Sequence, residues 1–413
     1  MKPKEYLIFF LISLLFQSIV FSQDFVEIKS LQTEVVYGNS TIPILNRSDS
    51  KLSHLNIDFD VDAETPPQLE IRFKFCNKNW VPADNLFLNN PFRNYVNNLW
   101  LRSLPTTVKM ASYHYHGTFP NKQVSFPFDG KWIYEIVNLD DDDKVLDSGK
   151  FIVVSNNLRL TIHIAESSII NTKVENDEMN KAYEMSVSFD LPDSLYPDYV
   201  ENTEIIQNRL FDYPIIIKKK ITNYRYLDWD GARHFVFGAK DVYPGNNYRQ
   251  VNLMDHNRFA PPTTNAHLDR IETSNFYVHT KPDLFGGMKL LDWTNEYAQY
   301  MDVNFILRAP GKLYKDVFLV GAFTDWEIWP AYKMNKKDGL YTTTVELKRG
   351  IYDYQYVLGY ENNGNVTDID WLYLEGNDFS RRAIYNIFVF YRNQENGGYD
   401  QIIGYKRILI NGK

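Results

Sequence analysis

The chain has 413 residues, a formal net charge of −8 and 44% hydrophobic residues, a composition that argues against intrinsic disorder. Aromatic residues make up 15% of the chain, and their flat side chains favour strands over a mostly helical fold. The 52 Asp and Glu residues outnumber the 44 Lys and Arg residues, without a basic block. Because such a surface cannot neutralise phosphates, we expect no nucleic-acid partner.

The N-terminus has the pattern of a secretory signal peptide over residues 1–22. Lys2 and Lys4 precede a largely apolar run over residues 6–21, and Ser22 is the small residue that signal peptidase requires before its cut. We therefore predict cleavage after Ser22. The alternative is an uncleaved membrane anchor, but the run is shorter than the roughly 20 apolar residues that span a bilayer.

Alternating apolar and polar residues predict strands along most of the mature chain. The polar break at 155–157 separates an N-terminal β-sandwich domain (23–155) from a middle β-rich domain (156–290), and a C-terminal domain (291–413) follows. We predict an all-β fold with two to three immunoglobulin-like β-sandwich domains in tandem. The predicted strands are 34–37, 55–61, 69–76, 112–118, 132–138, 149–154, 159–164, 183–189, 215–221, 235–237, 302–307, 316–320, 341–347, 353–358 and 384–391.

Two polar stretches are predicted to lie at the surface. Four aspartates at 140–143 join two predicted strands in a tight hairpin. They lack the spaced ligands and terminal Glu of an EF-hand loop, so a solvated turn is expected rather than a calcium site. The proline-bearing stretch 255–272 is predicted as an exposed lid or partner contact.

The sequence contains no phosphate-binding glycine loop, nucleophile elbow or paired-histidine zinc helix, so we predict no enzyme and no catalytic or cofactor-binding residues. His114 and His116 point to the same face of a predicted strand and are the best metal candidates. They lack a third and fourth ligand, so we predict no metal site and a strand with Tyr113 and Tyr115 facing inward. The only cysteine, Cys76, lies in a strand pattern and is predicted to be a buried core residue.

Two segments place carboxylates beside tryptophan, Asp228-Trp229-Asp230-Gly231 and Asp368-Ile369-Asp370-Trp371. An aromatic ring with a polar rim is typical of sugar sites, but the same residues also form ordinary turns, which is the interpretation we prefer. The sequence leaves open whether two carboxylates form a catalytic pair for sugar hydrolysis, because the fold sets the distance between them.

The C-terminal segment contains three stretches of a recognisable pattern, Val317–Trp326, Asp338–Tyr341 and Gly350–Tyr356. In these stretches it resembles the early-set immunoglobulin-like module found beside glycan-processing enzymes. It implies that Trp326 closes a sandwich.

A wider set of positions extends over the mature chain from about residue 27 to 405: 73–77, Trp80, Pro82, 113–115, Pro120, 129–132, Phe151, 207–208, 391–392 and 400–405. With these positions the chain resembles the plug protein family of the type IX secretion system of Bacteroidetes. The chain departs from the family pattern at 102–107, where a Ser-x-Asn-Thr-like stretch is usual, and at Asp129, where Ser is usual.

The resemblance implies a periplasmic protein, associated with the outer membrane but not spanning it. It would occlude the translocon barrel by steric binding when no cargo is engaged. Such a role would need no catalytic residue, and deletion of the third domain would abolish barrel association without unfolding the rest.

Two other functions are weighed against the plug. A carbohydrate-binding or glycan-processing accessory protein would use Trp326, Trp329 and Trp371 as exposed, roughly coplanar stacking platforms. A cargo protein of the same secretion route would be indicated by the basic end at 406–413, which is a short match without the preceding sorting motifs.

Overall fold

A computed structural model describes residues 25–36, 41–49, 53–90, 92–155, 157–168, 181–274, 283–309 and 311–411. The predicted signal peptide and its cleavage site lie outside these residues. Among them, helical structure is limited to three-residue 3₁₀ turns at Arg47–Asp49, Pro197–Tyr199, Ala322–Thr324, Pro330–Tyr332 and Glu395–Gly397. No helix in the described part of the chain has the length and apolarity needed to cross a membrane.

The chain is therefore built from strands, as predicted. In chain order they are β1 (Glu27–Val36), β2 (Ile44–Asn46), β3 (His54–Asp62), β4 (Leu69–Cys76), β5 (Tyr95–Val96), β6 (Arg102–Ser103), β7 (Tyr113–Phe119), β8 (Gly130–Asn138), β9 (Lys144–Val154), β10 (Thr161–Ser168), β11 (Lys181–Asp190), β12 (Val200–Gln207), β13 (Ile215–Lys218), β14 (Arg225–Trp229), β15 (His234–Val242), β16 (Arg249–Asn252), β17 (Thr263–Asn265), β18 (Glu272–Thr273), β19 (Met288–Leu290), β20 (Tyr300–Arg308), β21 (Asp316–Gly321), β22 (Asn335–Lys337), β23 (Leu340–Lys348), β24 (Gly350–Asn362), β25 (Asn365–Asp370), β26 (Ala383–Asn393) and β27 (Tyr399–Ile410).

The first sandwich packs a sheet of order β1-β3-β7-β6 on a sheet of order β2-β9-β8-β4-β5. Alternate residues of each strand face the space between the sheets, so Phe73 and Phe75 of β4 reach the same core as Phe59 of β3. Trp132 of β8 is fully buried there, and its ring packs against Phe75 at 5.3 Å between centroids. The core of this sandwich is strongly aromatic, which accounts for much of the unusual composition.

The middle sandwich combines strands that are far apart in the sequence. A sheet of order β10-β11-β15-β14 faces a sheet of order β13-β12-β26-β27. Val389 of β26 pairs with Thr203 of β12, and Tyr385, Ile387 and Val389 join the same core as Ile205. The three sequential domains stay a prediction, and from these pairings we propose that the β26–β27 hairpin completes the middle domain.

The third sandwich consists of two sheets that face each other. In one sheet β24 pairs with β16, β19, β21 and β25, and the other sheet has the order β17-β20-β23-β22. Phe305, Leu319 and Tyr354 fill its core. The stretch 255–272 is exposed at most positions, as predicted. However, Phe259 and Glu272 are buried and β17 pairs in parallel with β20, so this stretch is a fixed part of the sandwich and the lid prediction is wrong.

A buried polar network lies inside the third sandwich. The Arg249 guanidinium donates to both carboxylate oxygens of Glu375 at 2.9 Å and to Glu272 at 3.1 Å. The hydroxyl of Tyr354 also donates to Glu272. Burial raises the pKa of Glu272, but this effect is outweighed by the hydrogen bond from His267 and the charge of Arg249. Together they lower the pKa to about 2. This carboxylate is therefore ionised at neutral pH and fully paired.

Candidate partner-binding surface

The connection between β4 and β7 carries four large apolar side chains that project into solvent. Their exposed fractions are 74% for Leu86, 76% for Phe87, 84% for Phe92 and 80% for Trp100. We call residues 81–90 and 92–100 the aromatic loop. Several large apolar side chains exposed on one loop generally mark a contact with a partner.

The aromatic loop is held in place from beneath by Asn89. The Oδ1 of Asn89 accepts a hydrogen bond from the backbone N–H of Phe75 at 2.6 Å. Its Nδ2 donates to the carbonyl of Phe75 at 2.9 Å and to that of Ala83 at 2.8 Å. The neighbouring Leu88 is buried in the first core. Because these anchors fix the backbone, the exposed rings are presented on a defined surface, which lowers the ordering cost of binding.

Two further asparagines shape the loop. The Oδ1 of Asn77 accepts from the backbone N–H of Asn79 and of Val81 and so forms the turn that enters the loop. Asn85 accepts from the N–H of Phe87 at 2.9 Å. The Nδ2 of Asn85 also donates to the carbonyl of Asn396 at 2.6 Å, so the loop is tied to the turn between β26 and β27.

A cavity of about 650 Å³ lies under this contact, between the loop and the C-terminal hairpin. Leu86 and Phe87 line one side, and Arg392 and Tyr399 line the other. The loop and this cavity together place exposed apolar side chains beside a lining that is polar and apolar in similar measure, a mixture that is common at protein–protein contact sites.

Charge pairs join the three sandwiches to one another. Lys131 of β8 donates to Glu204 of β12 at 2.8 Å, and both side chains are only 2% exposed. Lys150 of β9 donates to Asp212 and to Glu327, at 2.8 and 2.5 Å, and these three side chains are partly exposed. Breaking the buried Lys131–Glu204 pair would leave an uncompensated charge, so this contact holds the first and middle sandwiches in one arrangement.

His114 and His116 do share one face of β7, as predicted, and that face is covered by aspartates of the adjacent strand. The Nδ1 of His114 lies 2.8 Å from Asp60, and that of His116 lies 2.7 Å from Asp58. The ring of His114 also stacks on Trp293 at 4.6 Å between centroids. The part of the chain that the structure describes contains no group of three or more His, Cys, Asp or Glu residues placed to hold a metal.

Electrostatics favour the charged form of both Asp60 and His114. Burial raises the pKa of Asp60, but hydrogen bonds from His114 and Lys348 lower it by a larger amount, so the net shift is downward. Burial lowers the pKa of His114, but hydrogen bonds to Asp58 and Asp60 raise it by a larger amount, so the net shift is upward. The pair therefore links the first sandwich internally and, through Lys348, to the third.

Cys76 is fully buried among the residues of β4 and β8, as predicted. Burial raises the pKa of its thiol to about 12. The thiolate is the reactive form, so this cysteine is chemically inert at neutral pH.

The four aspartates at 140–143 lie in a turn, as predicted, and Asp230-Gly231 form the turn after β14, whereas Asp368 and Asp370 lie in strand β25. Asp142 and Asp143 have positive φ values in the β8–β9 hairpin, and Asp143 pairs with Arg72 at 3.0 Å. Asp230 accepts backbone hydrogen bonds from Ala232 and His234, which closes the turn after Trp229.

The three tryptophans of the carbohydrate alternative do not form a common platform. Trp326 is 1% exposed and donates from Nε1 to the carbonyl of Gly286, so it packs inside the protein. Trp329 is exposed and stacks on Tyr332 with the ring planes 7° apart. Trp371 meets Tyr213 edge to face. The interpretation of Trp326 as a core residue agrees with the structure.

Sequence reasoning missed the aromatic loop. Phe87 and Leu88 are adjacent apolar residues, and only the structure shows that one is exposed and the other buried. The available signal was the density of asparagines around the apolar residues, because Asn favours turns and backbone capping over a buried strand.

The fold and this surface define an all-β protein of tandem β-sandwiches whose candidate site is a contact surface rather than a catalytic cleft. Residues 28–155, which include the aromatic loop, match the family model described as Type 9 secretion system plug protein 1st domain. The first domain of this chain is therefore similar to the first domain of the type IX secretion system plug proteins.

The architecture of the whole chain is similar to a solved structure. This is the crystal structure of a hypothetical protein from Parabacteroides merdae ATCC 43184, with a TM-score of 0.73, 94% of this chain and 99% of that chain covered, and 18% sequence identity. At this identity the similarity shows the fold alone. No curated protein matches the chain significantly.

Proposed function

We propose that this protein is a periplasmic plug that occludes the outer-membrane translocon barrel of the type IX secretion system when no cargo is engaged. It would act by steric protein–protein binding and would use no catalytic residue. The observation that carries the proposal is the aromatic loop, which presents Phe87 and Phe92 on a fixed backbone within the family-matched first domain. Rigid, exposed aromatic side chains are the groups that most often dominate binding energy at interfaces.

The arrangement of the sandwiches supports a blocking role. A plug must resist deformation across a wide opening, and the buried pair Lys131–Glu204 joins the first sandwich to the middle one. Lys348 and Asp60 join the first sandwich to the third in the same way. Because buried contacts fix the sandwiches relative to one another, the protein can block the passage of small molecules as a rigid unit, without a conformational change.

The proposal includes export to the periplasm and association with the outer membrane. Cleavage after Ser22 would leave Gln23 as the first residue of the mature chain. N-terminal sequencing of the protein recovered from the periplasmic side of cells tests this directly, since an uncleaved anchor would retain Met1.

The binding proposal is tested by affinity purification of the tagged mature protein from the outer-membrane fraction, followed by mass spectrometry. We expect a very large outer-membrane barrel in near-equal amount. The double variant Phe87→Ser with Phe92→Ser should lose most of that barrel while keeping the thermal stability of the parent protein.

The matched control is Tyr314→Ser, because Tyr314 is 81% exposed but lies outside the aromatic loop. Recovery of the barrel should be unchanged with this variant. Failure to recover any large barrel with the parent protein would contradict the plug function. Recovery by the double variant at the parent level would instead reject the aromatic loop as the contact.

A further inference from the structure

A cavity of about 370 Å³ opens where the middle sandwich meets the third. Its volume lies within the range of about 300–1,000 Å³ that is typical of small-molecule sites. Tyr213, Tyr243 and Trp371 form its aromatic walls. The rings of Tyr213 and Trp371 meet at 4.9 Å and 68°, so they define a corner rather than a flat surface.

Arg381 forms part of the cavity lining and has unmade hydrogen bonds. The residue is 4% exposed, and its guanidinium lies 4.2 Å above the ring of Tyr248. Its Nη1 donates to the carbonyl of Pro244 at 2.9 Å, whereas its Nε and Nη2 are buried without a hydrogen-bond partner. These two nitrogens are sealed off from the cavity, so Arg381 contributes a fixed positive charge behind the lining rather than free donors.

Gln355 of β24 adds a polar side chain that reaches the cavity. It is a buried polar residue that lines the same cavity, and its side-chain amide forms no hydrogen bond to any other residue that the structure describes. A primary amide offers two donors and one acceptor. The site therefore presents donors and an acceptor close to aromatic rings.

The charges around the cavity are largely compensated. Asp368 pairs with Lys315 at 2.7 Å, and Asp241 pairs with Arg225 at 2.9 Å. Asp370 remains as a carboxylate on the rim, opposite in sign to Arg381. A site with balanced charge does not favour a strongly ionic ligand, and its hydrogen-bonding groups do not suit a purely apolar one.

We propose that this cavity binds a neutral saccharide of one or two rings. The C–H faces of the sugar would pack on Trp371 and on the ring of Tyr243, and its hydroxyls would bond to the amide of Gln355 and to the hydroxyl of Tyr243. The inference does not rest on the plug function. It also differs from the platform considered from the sequence, because Trp371 alone of those three tryptophans lines this cavity.

The test is saturation-transfer NMR on the full mature protein with glucose, N-acetylglucosamine, maltose and cellobiose, followed by titration of the saccharide that responds. Gln355→Met keeps the side-chain volume and removes the amide, and Tyr243→Phe removes only the hydroxyl. Each should weaken binding about 5- to 10-fold, the effect of one lost hydrogen bond. Neither should change the melting temperature by more than a few degrees.

Trp329→Ala serves as the control, because Trp329 is an exposed tryptophan of the same sandwich that does not line the cavity. Its affinity should equal that of the parent protein. Absence of saturation transfer from all four saccharides overturns the proposal. Binding that survives in both cavity variants but disappears with Trp329→Ala also overturns it, by placing the saccharide on the outer surface.

Discussion

The Nζ of Lys348, at the end of β23, donates a 2.6 Å hydrogen bond to the Oδ2 of Asp60 on β3. The two side chains are 3% and 1% exposed and belong to different sandwiches. Tyr300 donates to the same carboxylate oxygen at 2.8 Å. A carboxylate that is buried at a boundary is tolerated only with such partners, so this contact specifies how the first sandwich docks on the third.

Removal of Lys348 should therefore destabilise the whole chain. Lys348→Met keeps the length of the side chain but removes the lysine partner of the buried Asp60, and we expect a loss of about 3–5 kcal/mol in the free energy of unfolding. Urea denaturation followed by intrinsic fluorescence measures it. Lys337→Met is the control, because Lys337 is exposed on β22, and it should change stability by less than about 0.5 kcal/mol. Equal effects of the two variants would show that the pair is not structural.

The pair between Asp60 and His114 predicts a pH dependence with a defined sign. The pKa of His114 is raised in the folded protein, so its protonation stabilises the fold below the ordinary histidine pKa near 6.5. This stabilisation is lost as the pH rises through the higher folded value. The pKa of Asp60 is lowered in the folded protein, so its contribution to stability is present at pH values above its ordinary pKa. This contribution is lost as the pH falls through the lower pKa of the folded state.

Melting temperatures of the parent protein and of His114→Gln between pH 5 and 9 check this prediction. The stability of the parent should decline on the alkaline side of pH 6.5, and His114→Gln should flatten that decline. His116→Gln is the matched control, since His116 lies on the same strand but is much more exposed. A decline of the same size in His114→Gln would assign the effect to another group.

The aromatic loop should lose its function when its backbone anchor is removed, even though no exposed ring is altered. Asn89→Ala deletes three hydrogen bonds to the backbone of Phe75 and Ala83, and we expect a cost of about 1–3 kcal/mol. Recovery of the barrel partner should fall because the loop is no longer preorganised. Asn79→Ala, an exposed asparagine at the entry turn, should leave both measurements near the parent values.

Local patterns in the sequence predicted the strands well. β4 begins and ends at the predicted residues Leu69 and Cys76, because the alternation of apolar and polar residues directly records two-sided burial. The prediction for 215–221 was too long, since β13 ends at Lys218 where three lysines follow one another. Consecutive lysine side chains favour exposure to solvent, so the half-buried strand ends where they begin.

Contacts between distant segments could not be predicted in the same way. Asp60, Lys131 and Glu204 are charged residues of types that are ordinarily exposed, and nothing local distinguishes them from surface charges. Their burial depends on a partner far away in the chain. The exposure of Phe87 has the same origin, because it depends on how Asn89 turns the backbone rather than on the hydrophobicity of the segment.

The position of the β26–β27 hairpin predicts the outcome of C-terminal truncation and replaces the domain deletion expected from the sequence. A chain that ends at Arg382 loses both strands of the hairpin and exposes Ile205, which packs with Tyr385, Ile387 and Val389 in the middle core. We therefore expect loss of cooperative unfolding in the middle sandwich, and not merely loss of partner binding. Hydrogen exchange of the backbone amides of residues 200–207 measures this directly, because β12 has β26 as one of its two neighbours in the sheet.

A chain that ends at Asn411 is the control for this truncation, since it keeps both strands of the hairpin complete. Its residues 200–207 should exchange as slowly as those of the parent protein, whereas in the chain that ends at Arg382 their protection should fall to that of a frayed edge. Full protection in the shorter chain would mean that the middle sandwich closes without the hairpin. The domain boundary at 290 would then hold as predicted, and deletion of the third segment would become a valid test of barrel binding.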